Sequence, residues 1–489
     1  MPRALVFGAT GYIGSHLVPR LVAAGWTVRA SARRREVLEG RAWSAVETVA
    51  ADALDPGTLA PALAGVDVAY YLVHSMGAGA GFAERDRRAA RHFREAAAAA
   101  GVRRIVYLGG LQAGDGAAAD QAASEHLSSR RETGDELRAG TVPVTELRAG
   151  VIVGPGSIAF EVIRDLVNHL PVMVTPRWVR SRMQPIALDD VLTYLVRVAD
   201  LEAAGDHVFD VGGPEVLRYD QMLRQAAEVL GKRLRILPVP VLTPRLSSYW
   251  LDFVTAVPAK VARPLIDGLR HDLLADDSAI RALVPIPLMT YREAVSAALA
   301  AERTAEAPGR WTEGAFRYRG SRHEVSFYSK AARAEATVAA PVEATWAQVI
   351  AIGGANGWYW NSWLWGLRGL VDRLVGGVGM RRGRRSRDDA RVGDAIDFWR
   401  VTAIEPGRRL TLLAEMRMPG VAVLEFAVAP AGEGRSRIET TAHFAPAGLV
   451  GLLYWYALTP VHRALFSGMT RGIARRAERS NRGGPAATP

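Results

Sequence analysis

The segment Ala4-Leu-Val-Phe7-Gly8-Ala-Thr-Gly11-Tyr-Ile-Gly14 decides how the first half of this chain folds. Four apolar residues make a short buried strand, three glycines follow at once, and Ile13–Ala24 carries the apolar spacing of a helix. Each glycine has a separate task in such a strand–turn–helix unit. Gly8 permits the tight turn, Gly11 lets backbone approach a pyrophosphate, and Gly14 lets helix pack on strand. The helix N-terminus adds N–H donors and a positive dipole end, which together suit a dinucleotide phosphate. Gly8, Thr10, Gly11, Tyr12, Ile13 and Gly14 are therefore the first candidate cofactor-binding residues.

Working outward, strand-like runs recur at Thr27–Ala30, Ala45–Val49, Val66–Val73, Arg104–Leu108 and Val142–Leu147, with helical stretches such as Phe82–Ala100 between them. That alternation predicts an α/β fold, a doubly wound parallel sheet with helices on both faces. Val208–Val211 and a helix near Gln221–Leu230 extend it toward residue 300. The end of the second strand distinguishes the two nicotinamide cofactors, because an NAD site places a carboxylate there for the ribose 2′-hydroxyl. Here it reads Arg29-Ala-Ser31-Ala-Arg33-Arg34-Arg35, without an acid. Guanidinium groups bind a phosphate bidentately, so NADP(H) is favoured over NAD(H), with Ser31, Arg33 and Arg34 as candidate 2′-phosphate ligands.

Composition narrows the remaining choices. At 489 residues the chain is too long for one core. The absence of cysteine excludes disulfides, thiolate metal sites and cysteine nucleophiles. The ten histidines form no HExxH or comparable cluster, so no metal site is expected. The net charge of +11 is concentrated in Arg381, Arg382, Arg384, Arg385 and Arg387 and in the tail after Arg471; read as a solvated loop, it implies no nucleic-acid partner. No signal peptide is expected, because cleavage after Ala4–Phe7 would remove the first strand. Leu449–Val461, interrupted by Pro460, is shorter than the ~20 residues of a spanning helix. It is expected to be a buried amphipathic helix, with interfacial membrane contact as the other option.

Typical short-chain dehydrogenases carry a serine after the fifth strand and a YxxxK helix. This chain has Val106-Tyr-Leu-Gly109-Gly110-Leu111 and His126-Leu-Ser-Ser-Arg130 instead. The glycine turn GATGYIG, together with YYLVHSMG (70–77), IVYLGGL (105–111), PRWVRSRMQPIALDDV (176–191), VGGPEVLRYDQM (211–222) and PVPVLTPRLSSYW (238–250), resembles the extended and atypical short-chain dehydrogenase/reductases. The resemblance implies adenine contact at Asp52 and Ala53, and a nicotinamide-side channel at Leu72, Val73 and His74. It implies an NAD(P)-dependent oxidoreductase but no particular substrate. His126 and Arg130 share one helix face through their i, i+4 spacing. They are the catalytic candidates, histidine as proton donor and arginine as ribose holder, with His126 as a plain surface residue left open.

Polar sequence from 301 to 324 reads as a linker between a cofactor domain (1–300) and a second domain (325–480), followed by a disordered tail (481–489). The second domain has strand-like runs Ala334–Ala339, Ala395–Ala403, Arg409–Met416, Ala422–Ala427 and Arg437–Phe444. Trp346, Trp358, Trp360, Trp363, Trp365 and Trp399 supply six of the chain's twelve tryptophans. GWYWNSWLWGLRGLVDRLVGG (357–377), DFWRV (397–401), AEMRMPG (414–420) and GLLYWYALTPVH (451–462) resemble the second domain of one bacterial branch of that family, and the whole is similar to START-like helix-grip domains. The tryptophans either line a cavity or fill a core, and Asp372, Asp394 and Asp397 are expected as ion-pair partners. Three functions follow from these observations. They are an NADPH-dependent reductase of a hydrophobic carbonyl or quinone-like compound, an NADP(H)-binding redox sensor without turnover, and a membrane-surface lipid-handling or assembly protein. A cytoplasmic protein with a small hydrophobic substrate and peripheral contact at the inner membrane is expected; the oligomeric state is left open.

Overall fold

The computed structural model describes residues 1–33, 35, 38, 43, 45–73, 82–112, 125–176, 180–201, 205–239, 272–303, 329–374, 389–391 and 393–482. Two compact units divide the chain, Met1–Trp311 and Thr312–Pro489.

In the first unit, β1 (Arg3–Phe7), β2 (Thr27–Ala32), β3 (Val46–Ala50), β4 (Val68–Tyr71), β5 (Arg104–Gly110), β6 (Val144–Ala149) and β7 (His207–Val211) form one sheet in the order β7-β6-β5-β4-β1-β2-β3. Every neighbouring pair is parallel. Strand β1 shows why such strands are apolar throughout. Ala4 and Val6 enter a cluster with Leu17, Val18 and Leu21 of α1 (Tyr12–Ala23), whereas Leu5 and Phe7 enter another with Ala90 and Phe93 of α2 (Phe82–Ala99). A strand covered on both faces has no polar side to show. The remaining helices used below are α3 (Glu125–Arg138), α4 (Ile158–His169), α5 (Leu188–Val198), α6 (Tyr219–Val229) and α7 (Tyr291–Arg303). The strand order reverses between β1 and β4, and open α/β sheets bind ligands outside the strand ends at such a switch point.

In the second unit, β8 (Lys330–Val338), β9 (Ala395–Ile396), β10 (Trp399–Glu405), β11 (Arg409–Ala414), β12 (Gly420–Pro430) and β13 (Ser436–Pro446) form an antiparallel sheet in the order β8-β13-β12-β11-β10-β9. Helix α8 (Val342–Ile350) follows β8, and α9 (Ser362–Leu374) precedes the sheet's other edge. The closing helix α10 (Gly448–Arg482) packs on β8, β13 and α8. It continues through Pro460 rather than breaking there, and it ends two residues inside the segment expected as a tail. Among the described residues no helix is long and apolar enough to cross a membrane.

Two sequence expectations change here. Trp358, Trp365 and Trp399 are core: Trp358 stacks on Trp365 at 4.5 Å, and Trp365 meets Trp399 edge-on at 6.3 Å. Trp363, taken with them as a cavity candidate, is 65% exposed instead. Asp397 is a hydrogen-bond anchor rather than an ion-pair partner among the described residues. Its buried carboxylate accepts from the Trp358 indole N–H at 2.9 Å and from the Gly354 N–H at 3.1 Å. Asp372 accepts from the Arg417 N–H at 2.6 Å, and Asp394 from the Arg391 N–H at 2.9 Å.

Candidate cofactor and active site

Strand β1 ends in a turn that only glycine can make. Gly8 has φ +94°, and a Cβ there would lie 2.9 Å from the Leu72 carbonyl oxygen. The Gly8 and Ala9 N–H groups donate to the Ser31 carbonyl at 3.2 and 3.0 Å, which fixes the turn against the end of β2. A Cβ on Gly14 would sit 2.5 Å from the Gly8 oxygen and 2.8 Å from the Ala9 Cα, so α1 lies against the turn backbone to backbone. Gly11, the N-cap of α1, would meet only the Gly8 oxygen, at 3.1 Å. No side chain caps the helix, and its first turn holds no acid. An uncapped N-terminus with glycine on its approach is a site for an anion.

At the end of β2, the Ser31 hydroxyl is buried and has no hydrogen-bond partner among the described residues. Leaving a hydroxyl so placed is costly unless something binds it. Arg33 is exposed and makes no ion pair among the described residues. Arg29 has a different role: its guanidinium donates to the carbonyls of Ala62 and Ala64, both at 2.8 Å, and pairs with Glu47 at 2.9 Å. It closes the short helix Leu59–Leu63 and is not available to a ligand. Beyond β3, Asp52 accepts from the Leu54 N–H at 2.9 Å, its own N–H donates to the Thr58 hydroxyl at 2.9 Å, and Ala53 is buried beside it. Leu72 and Val73 are half-buried beyond β4. Arg34 and His74 lie outside the described residues. The glycine turn, the uncapped helix and the orphan hydroxyl all fit a nicotinamide dinucleotide.

The catalytic candidates lie on α3. Arg130 is half-buried, and its guanidinium donates to the Leu108 carbonyl at 2.7 Å, next to the end of β5. Its Nε is buried without a partner among the described residues, leaving one donor to spare. His126 belongs to the same helix one turn earlier, and its side chain lies outside the described residues. Tyr107 is not a stand-in for the missing tyrosine. Its hydroxyl donates to the Arg130 carbonyl at 3.0 Å, and burial, the main cause, pushes its pKa up to about 12. It ties α3 to β5.

The structure also brings in a residue that the sequence did not single out. Glu146, 1% exposed in the middle of β6, accepts from Arg148 at 2.9 Å and pairs with Arg138 of α3. Its carboxylate fills the space in front of two glycines: a Cβ on Gly109 or on Gly134 would come within 2.6 Å of a Glu146 oxygen. The Glu146 carboxylate thus occupies the room that a side chain at position 109 would need. The available signal was a lone acid in a strand that is otherwise buried.

A cavity of about 310 Å³ opens elsewhere in this unit, between α1, α5 and α7, with His16, Arg20, Leu188 and Ala298 in its walls. None of the sequence-derived site residues lines it.

Residues 8–169 match the family model described as NAD(P)H-binding. The first unit is an NAD(P)-binding Rossmann domain. Residues 325–469 match a second model, described as a protein of unknown function (DUF2867). Over 237 residues the chain is 28% identical to a ceramide reductase of Caulobacter vibrioides (strain NA1000 / CB15N), covering 48% of this chain and 73% of that protein. The triphenylmethane reductase of a Citrobacter species is similar in fold, with a TM-score of 0.50 and 20% identity, covering 61% of this chain and all of the other.

Proposed function

We propose that the chain is an NADPH-dependent reductase of a hydrophobic carbonyl or quinone-like compound. The observation carrying the cofactor choice is the end of β2, where a buried Ser31 hydroxyl, unpartnered among the described residues, stands beside exposed Arg33 in the acid-free run Arg29–Arg35. Ser31, Arg33 and Arg34 hold the 2′-phosphate in this reading, and the Gly8–Gly14 turn takes the pyrophosphate. The similarity to a ceramide reductase supports both the reaction class and an apolar substrate. NADPH, when bound, supplies a hydride. The rest falls to this chain: Arg130, anchored on Leu108, orients the ribose with its spare Nε–H, and His126 gives a proton to the oxygen of the reduced carbonyl. Hydride plus proton converts the carbonyl to an alcohol. The sheet and long helix of the second unit support its START-like assignment. Its buried Trp365 and Trp399 N–H groups, unpartnered among the described residues, supply donors inside an apolar interior.

A sensor without turnover is favoured by one observation: Glu146 occupies the space of the missing serine, so position 109 offers no hydroxyl to polarise a carbonyl. One measurement tests the cofactor assignment shared by both readings, and a second separates them. NADPH should bind more tightly than NADH, and Arg33→Ala should remove most of that preference, because a lost charge-assisted contact costs roughly 1.5–3 kcal/mol, about tenfold or more. Equal affinities in the unmodified protein would defeat the NADPH assignment. NADPH oxidation with long-chain ketones or quinones supports the reductase; tight NADPH binding with no turnover across that panel supports the sensor.

A further inference from the structure

Seventeen large hydrophobic side chains are exposed among the described residues, and nine of them lie on two helices of the second unit. On α9 they are Trp363, Leu367, Leu370, Val371 and Leu374, at 65%, 49%, 53%, 45% and 79% exposure. Their spacing of i, i+4, i+7, i+8 and i+11 makes one continuous stripe. The opposite face is fixed inward by Trp365, stacked on Trp358, and by Asp372, held by the Arg417 N–H at 2.6 Å, yet the outward face is apolar as well. The other four, Leu449, Val450, Leu453 and Val461, lie on the first turns of α10.

One loop ties the two helices together. Arg368 of α9 donates to the Arg417 carbonyl at 3.2 Å. Two residues further along the same loop, the Pro419 carbonyl accepts from the Ala447 N–H at 3.0 Å at the start of α10. The loop Arg417–Pro419 thus joins α9 to α10 at one end of the unit. The charges there are of one sign. Arg417 and Arg463 are exposed and Arg368 is half-buried. The single carboxylate of α9 is the buried Asp372, and α10 has none before Glu478.

We propose that this face docks the protein on an anionic lipid bilayer, with α9 and the first turns of α10 lying in the plane of the interface. An apolar stripe rimmed by arginine and carrying an exposed tryptophan matches what interfacial helices present to headgroups and acyl chains. At 13 residues, α9 is too short to span. A second copy fits less well, because a self-complementary contact would bring the arginines of one face against those of the other. The inference does not depend on cofactor choice or on turnover.

The test is co-sedimentation of the full-length chain with vesicles of phosphatidylcholine containing about one third phosphatidylglycerol, and with phosphatidylcholine alone. Binding should be clear on the anionic vesicles, weaker on the neutral ones, and reduced at about 0.5 M salt by screening. Leu367→Glu/Leu370→Glu should weaken it by about tenfold or more, and Trp363→Ser should weaken it independently. Both variants should keep the parental melting temperature and NADPH affinity, since these side chains are exposed. Parent-like vesicle binding by both variants would overturn the proposal, as would no binding by the unmodified chain. A dimer in light scattering that the double variant abolishes would assign the face to a second copy instead.

Discussion

Placing a side chain at position 109 should destabilise the protein through Glu146 alone, and a double-mutant cycle isolates that effect. A Cβ on Gly109 would sit 2.6 Å from Glu146 Oε1 and 3.3 Å from its Cδ. The far end of a glutamate would ordinarily swing aside at little cost. This one is held by Arg148 on one oxygen and Arg138 on the other, and Gly134 closes its opposite side. Gly109 does not have a left-handed φ, so backbone strain adds nothing. Gly109→Ala should therefore cost about 1–3 kcal/mol, the usual range for overpacking. Glu146→Ala should cost about 3 kcal/mol, the low end for breaking a buried pair, because Arg138 and Arg148 are 17% and 21% exposed and can reach water. In the double variant the new methyl enters vacated space, and its cost should largely disappear, a coupling of about 1–3 kcal/mol. Urea denaturation followed by circular dichroism reads this directly. With a slope of roughly 3 kcal/mol/M, the single Gly109→Ala change should move the midpoint by about 0.3–1 M. Strictly additive costs, or a neutral Gly109→Ala, would refute the claim that Glu146 dictates the glycine.

Other substitutions probe the site and the scaffold. Gly14→Ala should abolish cofactor binding and lower stability, because its Cβ would strike the Gly8 carbonyl and the Ala9 Cα, backbone atoms that cannot yield; calorimetric titration and thermal melting check both effects. If His126 is the proton donor, His126→Phe should lower kcat by ~10²–10⁴-fold with NADPH affinity retained, and undiminished turnover would remove it from the mechanism. Burial, the larger cause, raises the Asp190 pKa from its ordinary 3.8 to about 6. The folded state thus holds a proton that the unfolded state releases, and this contribution, full below about pH 4, is lost as pH rises through about 6. Asp190→Asn keeps an acceptor for the Met289 N–H, at 3.0 Å in the parent. The variant should therefore melt higher than the parent above pH 6, with the gap closing below about pH 4. A constant gap across that range would rule out Asp190 as its source.

The cofactor half of the fold was readable because its signals are local. A βα turn with glycines at 8, 11 and 14 specifies its own geometry over seven residues, and strands buried on both faces announce themselves as continuous apolar runs. The observed strands begin or end within a few residues of the apolar runs: β2 extends two residues past Ala30, and β4 is cut at both ends to Val68–Tyr71. Those ends are set by pairing with neighbours, which composition does not record. The acid-free end of β2 was equally legible, yet its arginines were not equivalent. Arg29 and Arg33 are four residues apart in one basic run, and only the fold shows that Arg29 is occupied by Glu47 and the carbonyls of Ala62 and Ala64.

What stayed hidden was anything that depends on a distant partner or on the direction in which a face is turned. A missing serine at 109 looks like a lost catalytic group until Glu146, thirty-seven residues later, is seen in the same space. The relation is one of volume, and no spacing rule within a single element expresses it. Helix α9 illustrates the second kind. Its 3.6-residue periodicity says that one side is apolar, and the usual inference puts that side in the core. Yet a periodic stripe fixes only the relative phase of two faces. Which one turns inward is decided by the anchors, here Asp372 on the Arg417 N–H and Trp365 stacked on Trp358. With those two residues fixed inside, Trp363, Leu367, Leu370 and Leu374 have nowhere to point but outward.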